Sequence, residues 1–155
     1  MILGKKEALN RAMDLCSRSE KTAKDIKHSL TKWGLSSIED QLSIIEYLKD
    51  NNFIDETRYS ISFARDKHKF NRWGKIKILN MLRAKAIDDQ TIKEALNYID
   101  DESYLATLRE ELIKKRKSVK ASNQYDLKVK LLRFASSRGF ETDLIYKVLE
   151  ELLSS

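Results

Sequence analysis

The ten residues ILNMLRAKAI (78–87) begin as an amphipathic helix and end in a small residue followed by an apolar one. Ile78 and Leu82 are four residues apart, so their side chains lie on one face of a helix. Ala86 stands where this helix is expected to stop. Asp88 then suits the N-cap of a next helix, because its carboxylate can accept hydrogen bonds from free first-turn amides. The stretch therefore predicts two short helices joined by a tight corner.

The same pattern occurs twice more, at an almost constant spacing. Residues 26–35 (IKHSLTKWGL) and 131–140 (LLRFASSRGF) also carry apolar or small residues four apart, then a glycine and one further apolar residue. Ala86 follows Gly34 by 52 residues, and Gly139 follows Ala86 by 53. Glycine suits the left-handed backbone at which many helices end. Three copies at one period indicate an array of repeats with shallow, local cores.

A third helical segment precedes each of these pairs. The segments are 8–16, 57–69 and 104–115, with expected buried faces at Leu9/Met13/Cys16, Tyr59/Phe63 and Leu105/Leu108/Leu112. The expected N-caps of the last helix in each copy are Ser36 or Ser37, Asp88 and Thr142. We therefore predict an all-α fold of three tandem three-helix, helix-turn-helix-like repeats in an elongated, curved array, divided at 1–52, 53–99 and 100–155. One irregular helical bundle is the alternative.

Composition supports helices and argues against several other classes of protein. The 155 residues include no proline and four glycines, too little turn punctuation for a β-rich fold. No run of about 18 apolar residues exists to cross a membrane, and the N-terminus lacks the apolar region of a signal peptide. Cys16 is the single cysteine and lies among apolar residues, so we expect a buried thiol in a cytoplasmic chain without a disulfide.

Groups for catalysis are scarce. His28 and His68 lie on different predicted helices, and neither has a triad-like set of partners nearby in sequence. No cysteine–histidine cluster has zinc spacing, and no glycine-rich phosphate loop is present. The acidic run 100–102 fits a helix start better than a metal site. We therefore expect no catalytic residue, no metal and no cofactor.

Charge alternates along the chain in blocks. Residues 65–85 and 109–138 each carry a net charge of +7, whereas 34–57 and 86–108 each carry −5 and 139–155 carries −3. Phe70 and Trp73 interrupt the first basic block, and a second tract includes Lys114–Lys117 and Lys120. Cations bridge phosphates and aromatic rings stack on bases, so the blocks favour a polyanion without base specificity. Two alternatives are that the blocks neutralise acidic helices within the body and that Trp33 and Trp73 pack in the core.

Several segments resemble the RecX family of bacterial regulatory proteins. Residues 55–64 (DETRYSISFA), entered through 48–54 (LKDNNFI), are similar to the family pattern of two acids, an arginine and two aromatic residues four apart. Residues 74–87 resemble the second repeat, and 132–134 with 138–140 resemble the third. The likeness extends from about residue 8 to residue 153 and is weakest in the first unit. Ala86 and Asp25 depart from the family's usual glycine and glutamate.

The resemblance implies a function. RecX proteins bind the filament of RecA recombinase on DNA, lie in its groove, and suppress its recombinase and co-protease activities. The resemblance therefore implies that this chain is not an enzyme but an inhibitor of RecA, with a role in DNA recombination, DNA repair and the SOS response. We expect it to be a cytoplasmic monomer. Arg58 is expected to pair with a carboxylate such as Asp55. The expected contacts with DNA, single- or double-stranded, or with the filament are Arg72, Lys75, Lys77, Arg83, Lys85, Lys128, Lys130, Arg133 and Arg138.

Two other functions remain open from the sequence. One is a general, non-sequence-specific DNA-binding protein of helix-turn-helix type. The other is an interaction scaffold without a role for its cations. The RecA inhibitor and the general DNA-binding protein both need the cations of successive units to line up along one side and to be free of neighbouring carboxylates.

Overall fold

Nine α-helices and no strands make up residues 3–154, the part of the chain that this computed structural model describes. The predicted all-α repeat fold is confirmed. The helices are α1 (Lys5–Arg18), α2 (Ala23–Lys32), α3 (Ile38–Asp50), α4 (Glu56–Asn71), α5 (Lys75–Ala84), α6 (Asp89–Leu96), α7 (Asp101–Ser118), α8 (Gln124–Ser137) and α9 (Thr142–Leu153).

The three predicted corners share one backbone geometry. Gly34, Ala86 and Gly139 all have the positive φ of the left-handed region, at 91°, 60° and 94°. The next residue in each corner donates its amide to the carbonyl oxygen five residues earlier, at 3.0 to 3.3 Å, and buries its side chain: Leu35, Ile87 and Phe140. These bonds satisfy carbonyls that a helix end leaves free. Ala86 adopts the geometry although it has a Cβ, so the fold holds it in a disfavoured conformation.

Two of the three predicted N-caps are confirmed. Ser37 accepts a hydrogen bond from the amide of Asp40, and Asp88 from that of Thr91. The prediction of Thr142 was wrong, because α9 begins there and Glu141 occupies the N-cap position without capping through its side chain. The Glu141 carboxylate instead accepts a hydrogen bond from the hydroxyl of Tyr104 on α7.

The buried faces of the first helices are turned by about one residue from the predicted ones. The prediction of Cys16 is confirmed, but the other buried positions of α1 and α4 are small or polar residues: Ala8 and Ala12, then Ser60, Ala64 and His68. The larger predicted side chains are only half-buried: Leu9, Met13, Tyr59 and Phe63. Small residues let neighbouring helices approach closely, which explains the shift. In α7 the prediction of Leu108 and Leu112 is confirmed, but Tyr104 is buried instead of Leu105.

Each helix packs mainly against two others, which groups them as α1–α3, α4–α6 and α7–α9. We call these groups unit one, unit two and unit three; the residue boundaries predicted from sequence stay a prediction. Unit one has an apolar core of its own, including Ile26, Leu30 and Leu48. A second core is continuous through units two and three. We expected a separate, local core in each unit. Unit one has such a core, whereas units two and three share one.

Units two and three meet where the main chain of one touches the main chain of the other, which we call the second junction. The amide of Gly74 donates to the carbonyl of Arg138 at 2.7 Å, and that of Ile76 to the carbonyl of Gly139 at 2.9 Å. A Cβ on Gly74 would lie 2.3 Å from the carbonyl carbon of Gly139, so only glycine fits.

Tyr104 of α7 completes the second junction. Its hydroxyl accepts a hydrogen bond from the amide of Lys75 at 2.8 Å and donates one to the Glu141 carboxylate. Its ring lies between those of His68 and Phe140, with centroids 5.2 and 5.3 Å away. Burial, together with the neighbouring carboxylate, raises the pKa of this phenol far above its usual range. The hydroxyl is therefore neutral and joins units two and three.

Units one and two meet through polar groups, at what we call the first junction. Lys85 lies 2.6 Å from the carboxylate of Asp25, and Arg58 lies 2.7 Å from that of Glu20. The Lys24 ammonium donates to the Ala84 carbonyl at 2.7 Å. Arg58 also lies 3.9 Å from Asp55, so the predicted pairing exists, but the shorter contact reaches back to unit one.

Candidate nucleic-acid interface

The nine cations predicted as contacts fall into two groups. Five have a carboxylate within 4.0 Å, which neutralises part of their charge. A phosphate must compete with that carboxylate, so these cations are weaker sites for a polyanion. The pairs are Arg72 with Glu110 and Glu111, Lys75 with Asp101, Arg83 with Asp89, Lys85 with Asp25, and Lys130 with Asp126.

Two of these paired cations hold the fold together. Arg72 ends α4 and reaches across to two adjacent glutamates of α7, so it ties unit two to unit three. Lys85 ties unit two to unit one. The partners of Arg72 lie 38 and 39 residues away in sequence and that of Lys85 lies 60 away, which is why the basic blocks alone did not reveal them.

The other four predicted cations have no carboxylate within that distance among residues 3–154, and three of them lie over an aromatic ring. The Lys77 ammonium is 4.5 Å from the centre of a Trp73 ring, and the Arg138 guanidinium is 5.1 Å from that of Phe134. Lys128 is 5.6 Å from the ring centre of Tyr146. Arg133 is exposed beside Phe134. An aromatic face positions a cation without cancelling its charge.

Two further cations complete these clusters. Lys67 lies 5.1 Å from the centre of a Trp73 ring, and Lys115 lies 5.2 Å from that of Phe134. Both belong to the basic tracts of the sequence, but neither was among the nine expected contacts. Lys115 is on α7, whereas Phe134 is on α8, so only the packing of those helices brings the two side chains together.

The second junction brings the two clusters together. Trp73 directly precedes Gly74, whose amide bonds to the carbonyl of Arg138 at 2.7 Å. A Cβ added to Gly139 would lie 2.4 Å from the Cβ of Lys77, so Lys77 packs directly against Gly139. Four cations that have no carboxylate within 4.0 Å among the described residues thus lie over two aromatic rings, in one arrangement that spans units two and three. We call it the cation–aromatic strip: Lys67, Trp73, Lys77, Phe134, Lys115 and Arg138.

The strip offers charge and flat apolar surface but no acid–base chemistry. Its cations are lysine and arginine side chains, which donate hydrogen bonds to phosphate oxygens. A cleft of about 300 Å³ opens beside Phe134, with Lys115, Lys130 and Arg133 on its walls. Such a surface is chemically suited to a sugar–phosphate backbone, and the six residues that define the strip include no carboxylate or amide side chain that could read base edges.

Groups that could act as nucleophiles or metal ligands are buried or scattered. Cys16 lies in the core of unit one, and burial raises the pKa of its thiol. In the described part of the chain, no three histidine, cysteine, aspartate or glutamate side chains come together as a metal site would require. Over the same residues no helix combines the length and apolar character needed to cross a bilayer.

Two family models match the chain. They are the second three-helix domain of RecX, over residues 55–96, and the third three-helix domain of RecX, over residues 101–149. The protein named regulatory protein RecX of Clostridium acetobutylicum is 30% identical over 153 residues, which is 95% of this chain and 69% of that protein. The one of Chromobacterium violaceum is 32% identical over 140 residues, 90% of this chain and 86% of that protein.

Solved structures of similar proteins agree on the fold. The crystal structure of a regulatory protein RecX superposes with a TM-score of 0.86 at 21% identity, covering 95% of this chain and 71% of that one. The structure of RecX from Lactobacillus salivarius gives 0.84 at 23% identity and covers 96% of both chains. At these identities the likeness supports the all-α repeat fold alone.

Proposed function

This chain belongs to the RecX family of regulatory proteins, and from that premise we propose that it binds the RecA filament on DNA and lowers its recombinase and co-protease activities. The observation that carries the proposal is the cation–aromatic strip. A regulator that acts on a nucleoprotein filament needs a surface for the phosphate backbone, and the strip has the charge and the rings for one.

The strip is suited to this task because it is rigid. Its two clusters are joined through backbone hydrogen bonds at 2.7 and 2.9 Å and a shared core, so the spacing of the cations does not depend on flexible linkers. Preorganised cations lose little conformational freedom on binding, which raises the affinity that each contact contributes. Within the nine sequence-predicted contacts we assign phosphate binding to Lys77, Arg133 and Arg138, with Lys128 at the edge.

The direct test measures ATP hydrolysis and strand exchange by RecA on single-stranded DNA with and without this chain. We expect the chain to lower both, and the double variant Lys77→Glu/Arg138→Glu to lose most of this effect. Two lost phosphate contacts should also reduce the slope of log affinity against log salt by about 2. Unchanged hydrolysis and strand exchange at saturating chain would exclude the proposal.

A matched control separates the strip from total charge. Lys93→Glu/Lys147→Glu changes the net charge by the same amount, at exposed positions of α6 and α9 outside the strip. This control is expected to inhibit RecA as the unchanged chain does. Equal loss in both double variants would show that only net charge matters.

General binding to DNA is the second candidate function, since the charges and rings of the strip suit a phosphate backbone whether or not RecA is present. It predicts equal affinity for naked DNA and for the filament, and inhibition that follows occupancy of the DNA. Fluorescence anisotropy with labelled DNA, with and without RecA, distinguishes the two candidates. A folded strip variant that inhibits fully would instead support a scaffold in which the cations have no role.

A further inference from the structure

An aromatic stripe runs along one side of α4 and leads into the strip. Its four residues are spaced four, four and three positions apart, so they share one face of the helix: Tyr59, Phe63, Lys67 and Phe70. The rings of Tyr59 and Phe63 stack with their centroids 5.8 Å apart. Lys67 lies 5.6 Å from the centre of the Phe63 ring and 5.1 Å from that of a Trp73 ring. The four residues, which we call the α4 stripe, therefore meet the strip at this lysine.

Phe70 is the exposed end of the α4 stripe. Its side chain is 71% exposed, and the Lys69 ammonium lies 5.3 Å from the centre of its ring. Tyr59 and Phe63, by contrast, are half-buried and pack against the core of units two and three. The fold therefore uses those two rings for packing, whereas the Phe70 ring is available to a ligand beside two lysines.

The surroundings of the Phe70 ring are cationic. Across the described residues, neither of the two lysines beside it has a carboxylate within 4.0 Å. Only two acidic residues belong to α4, and both have other partners. Asp66 lies 3.9 Å from Arg65, and Glu56, at the opposite end of the helix, accepts a hydrogen bond from a main-chain amide of unit one at 3.2 Å. Nucleic acids are the polyanions that combine phosphates with flat aromatic bases, so they suit this surface.

An exposed ring distinguishes a single strand from a duplex. In a duplex the bases are paired and stacked inside, and the surface that faces a basic protein is sugar and phosphate. In a single strand a base can turn outward and place its flat face on an aromatic side chain. Cations alone attract both forms, so the Phe70 ring adds a contact that only the single strand can make.

We propose that the strip and the α4 stripe together bind single-stranded nucleic acid in preference to duplex, with an unpaired base stacked on Phe70 and phosphates at Lys67 and Lys69. This inference rests on the proposed function, because it takes the strip as the surface for the phosphate backbone, and it adds which form of DNA that surface selects. Stacking accepts every base, so the preference is for strandedness and not for sequence.

Fluorescence anisotropy of the full chain, without RecA, tests the inference with three labelled probes that carry the same number of phosphates. They are a thymidine oligonucleotide, an abasic oligonucleotide of the same length, and a hairpin duplex. The thymidine oligonucleotide is expected to bind about tenfold more tightly than the other two, the gain that stacking of one base provides. Phe70→Ala and Phe70→Leu should remove this gain and leave the other two probes unchanged. Phe70→Tyr keeps a flat ring and should retain the gain.

Tyr125→Ala is the matched control. Tyr125 is 77% exposed on α8, and it lies nine residues from Phe134 and so on the opposite side of that helix. This variant should bind all three probes as the unchanged chain does. The inference is overturned if the hairpin or the abasic probe binds as tightly as the thymidine oligonucleotide. It is also overturned if Phe70→Leu keeps the gain or if Tyr125→Ala loses it.

Two further results separate this inference from the proposed function. If Lys77→Glu/Arg138→Glu weakens all three probes while Phe70→Ala weakens none, the strip still binds phosphates, and only the preference for a single strand is overturned. If Phe70→Ala weakens inhibition of RecA without weakening any probe, the ring contacts protein, and the inference is again overturned.

Discussion

The two junctions between the units differ in what makes them. At the first junction, side chains meet at the surface: Lys85 with Asp25, Arg58 with Glu20, and Lys24 with a carbonyl. At the second junction, backbone amides bond directly to backbone carbonyls and a common core lies beneath them. Exposed ion pairs contribute little to stability, whereas buried apolar area and close main-chain contact contribute most of it.

The comparison separates the part of the molecule that carries the strip from unit one. The strip crosses the second junction, where the geometry is fixed. Unit one, with its separate core, is attached by contacts that salt and pH weaken. Four substitutions of decreasing expected effect on stability test this difference between the junctions.

Gly74→Ala should damage the second junction most. Its new Cβ would lie 2.3 Å from the carbonyl carbon of Gly139, and the backbone on both sides leaves no room to relax. We expect the free energy of unfolding to fall by about 1–3 kcal/mol or more, as for overpacked cores. Urea denaturation followed by circular dichroism measures it. Gly4→Ala is the control, since a Cβ there has nothing within 4 Å; similar losses in the two variants would contradict the steric explanation.

Tyr104→Phe removes one hydroxyl from the second junction and keeps the ring. The amide of Lys75 loses its acceptor and the Glu141 carboxylate its donor. We expect a loss of about 1–2 kcal/mol in the free energy of unfolding, because the groups are partly buried. Tyr125→Phe, at a side chain that is 77% exposed, should cost almost nothing in the same measurement. An unchanged free energy of unfolding in Tyr104→Phe would show that the hydroxyl does not join the units.

Ala86→Gly should stabilise the chain at the corner next to the first junction. Ala86 has a φ of 60°, and the left-handed region costs alanine more than glycine. We expect a gain of about 0.5–1 kcal/mol, reduced by the greater freedom of glycine in the unfolded chain. The midpoint of thermal unfolding is the measurement. The reverse change, Gly34→Ala at a φ of 91°, should lower it. A lower midpoint for Ala86→Gly would mean that the methyl group packs usefully.

Lys85→Met should have the smallest effect on stability, about 0.2–1 kcal/mol, because the pair at the first junction is partly exposed. The loss should be smaller in 1 M salt than in 0.05 M salt, because dissolved ions screen a partly exposed pair. Urea denaturation at both salt concentrations measures it. Lys93→Met, at an exposed lysine of α6, is the control and should show no such salt dependence. A loss of equal size at both salt concentrations would place Lys85 among the packing residues.

The same pair sets a pH window for the first junction. Burial opposes the charge of Asp25, but hydrogen bonds from Lys85 and Thr22 outweigh it and lower the pKa of this carboxyl. Hydrogen bonding to Asp25 raises the pKa of Lys85 despite its burial. The stabilisation is therefore complete between about pH 4 and pH 10, the values of the unfolded groups, and is lost below and above that window. In Lys85→Met the acid part of this dependence should be reduced.

Much of the fold was predictable because its signals are local. The corners at Gly34, Ala86 and Gly139 follow from apolar residues four apart and a small residue at the helix end. The buried faces of α1 and α4 were not predictable in the same way. There Ala8 and Ser60 lie inside although larger side chains stand beside them, since close approach of a neighbouring helix favours small residues.

The candidate site was less predictable than the fold. The charge blocks pointed to residues 65–85 and 109–138, and both clusters of the strip come from those blocks. Which cations carry an available charge depended on partners that packing brings near, such as Glu110 for Arg72 and Asp25 for Lys85. Whether the four cations of the strip bind DNA stays a prediction.

The amino-acid sequence was sufficient to predict the helices and their corners, because these depend on residues within a few positions of one another, and it also carries the likeness to the family. Only the packing of the helices brings Arg72 and Lys85 to their carboxylates and joins the two aromatic clusters across Gly74 and Gly139. Coulomb attraction and steric exclusion act over a few ångströms in space, and these contacts of Arg72, Lys85 and the second junction join residues that are 38 to 64 positions apart in the chain.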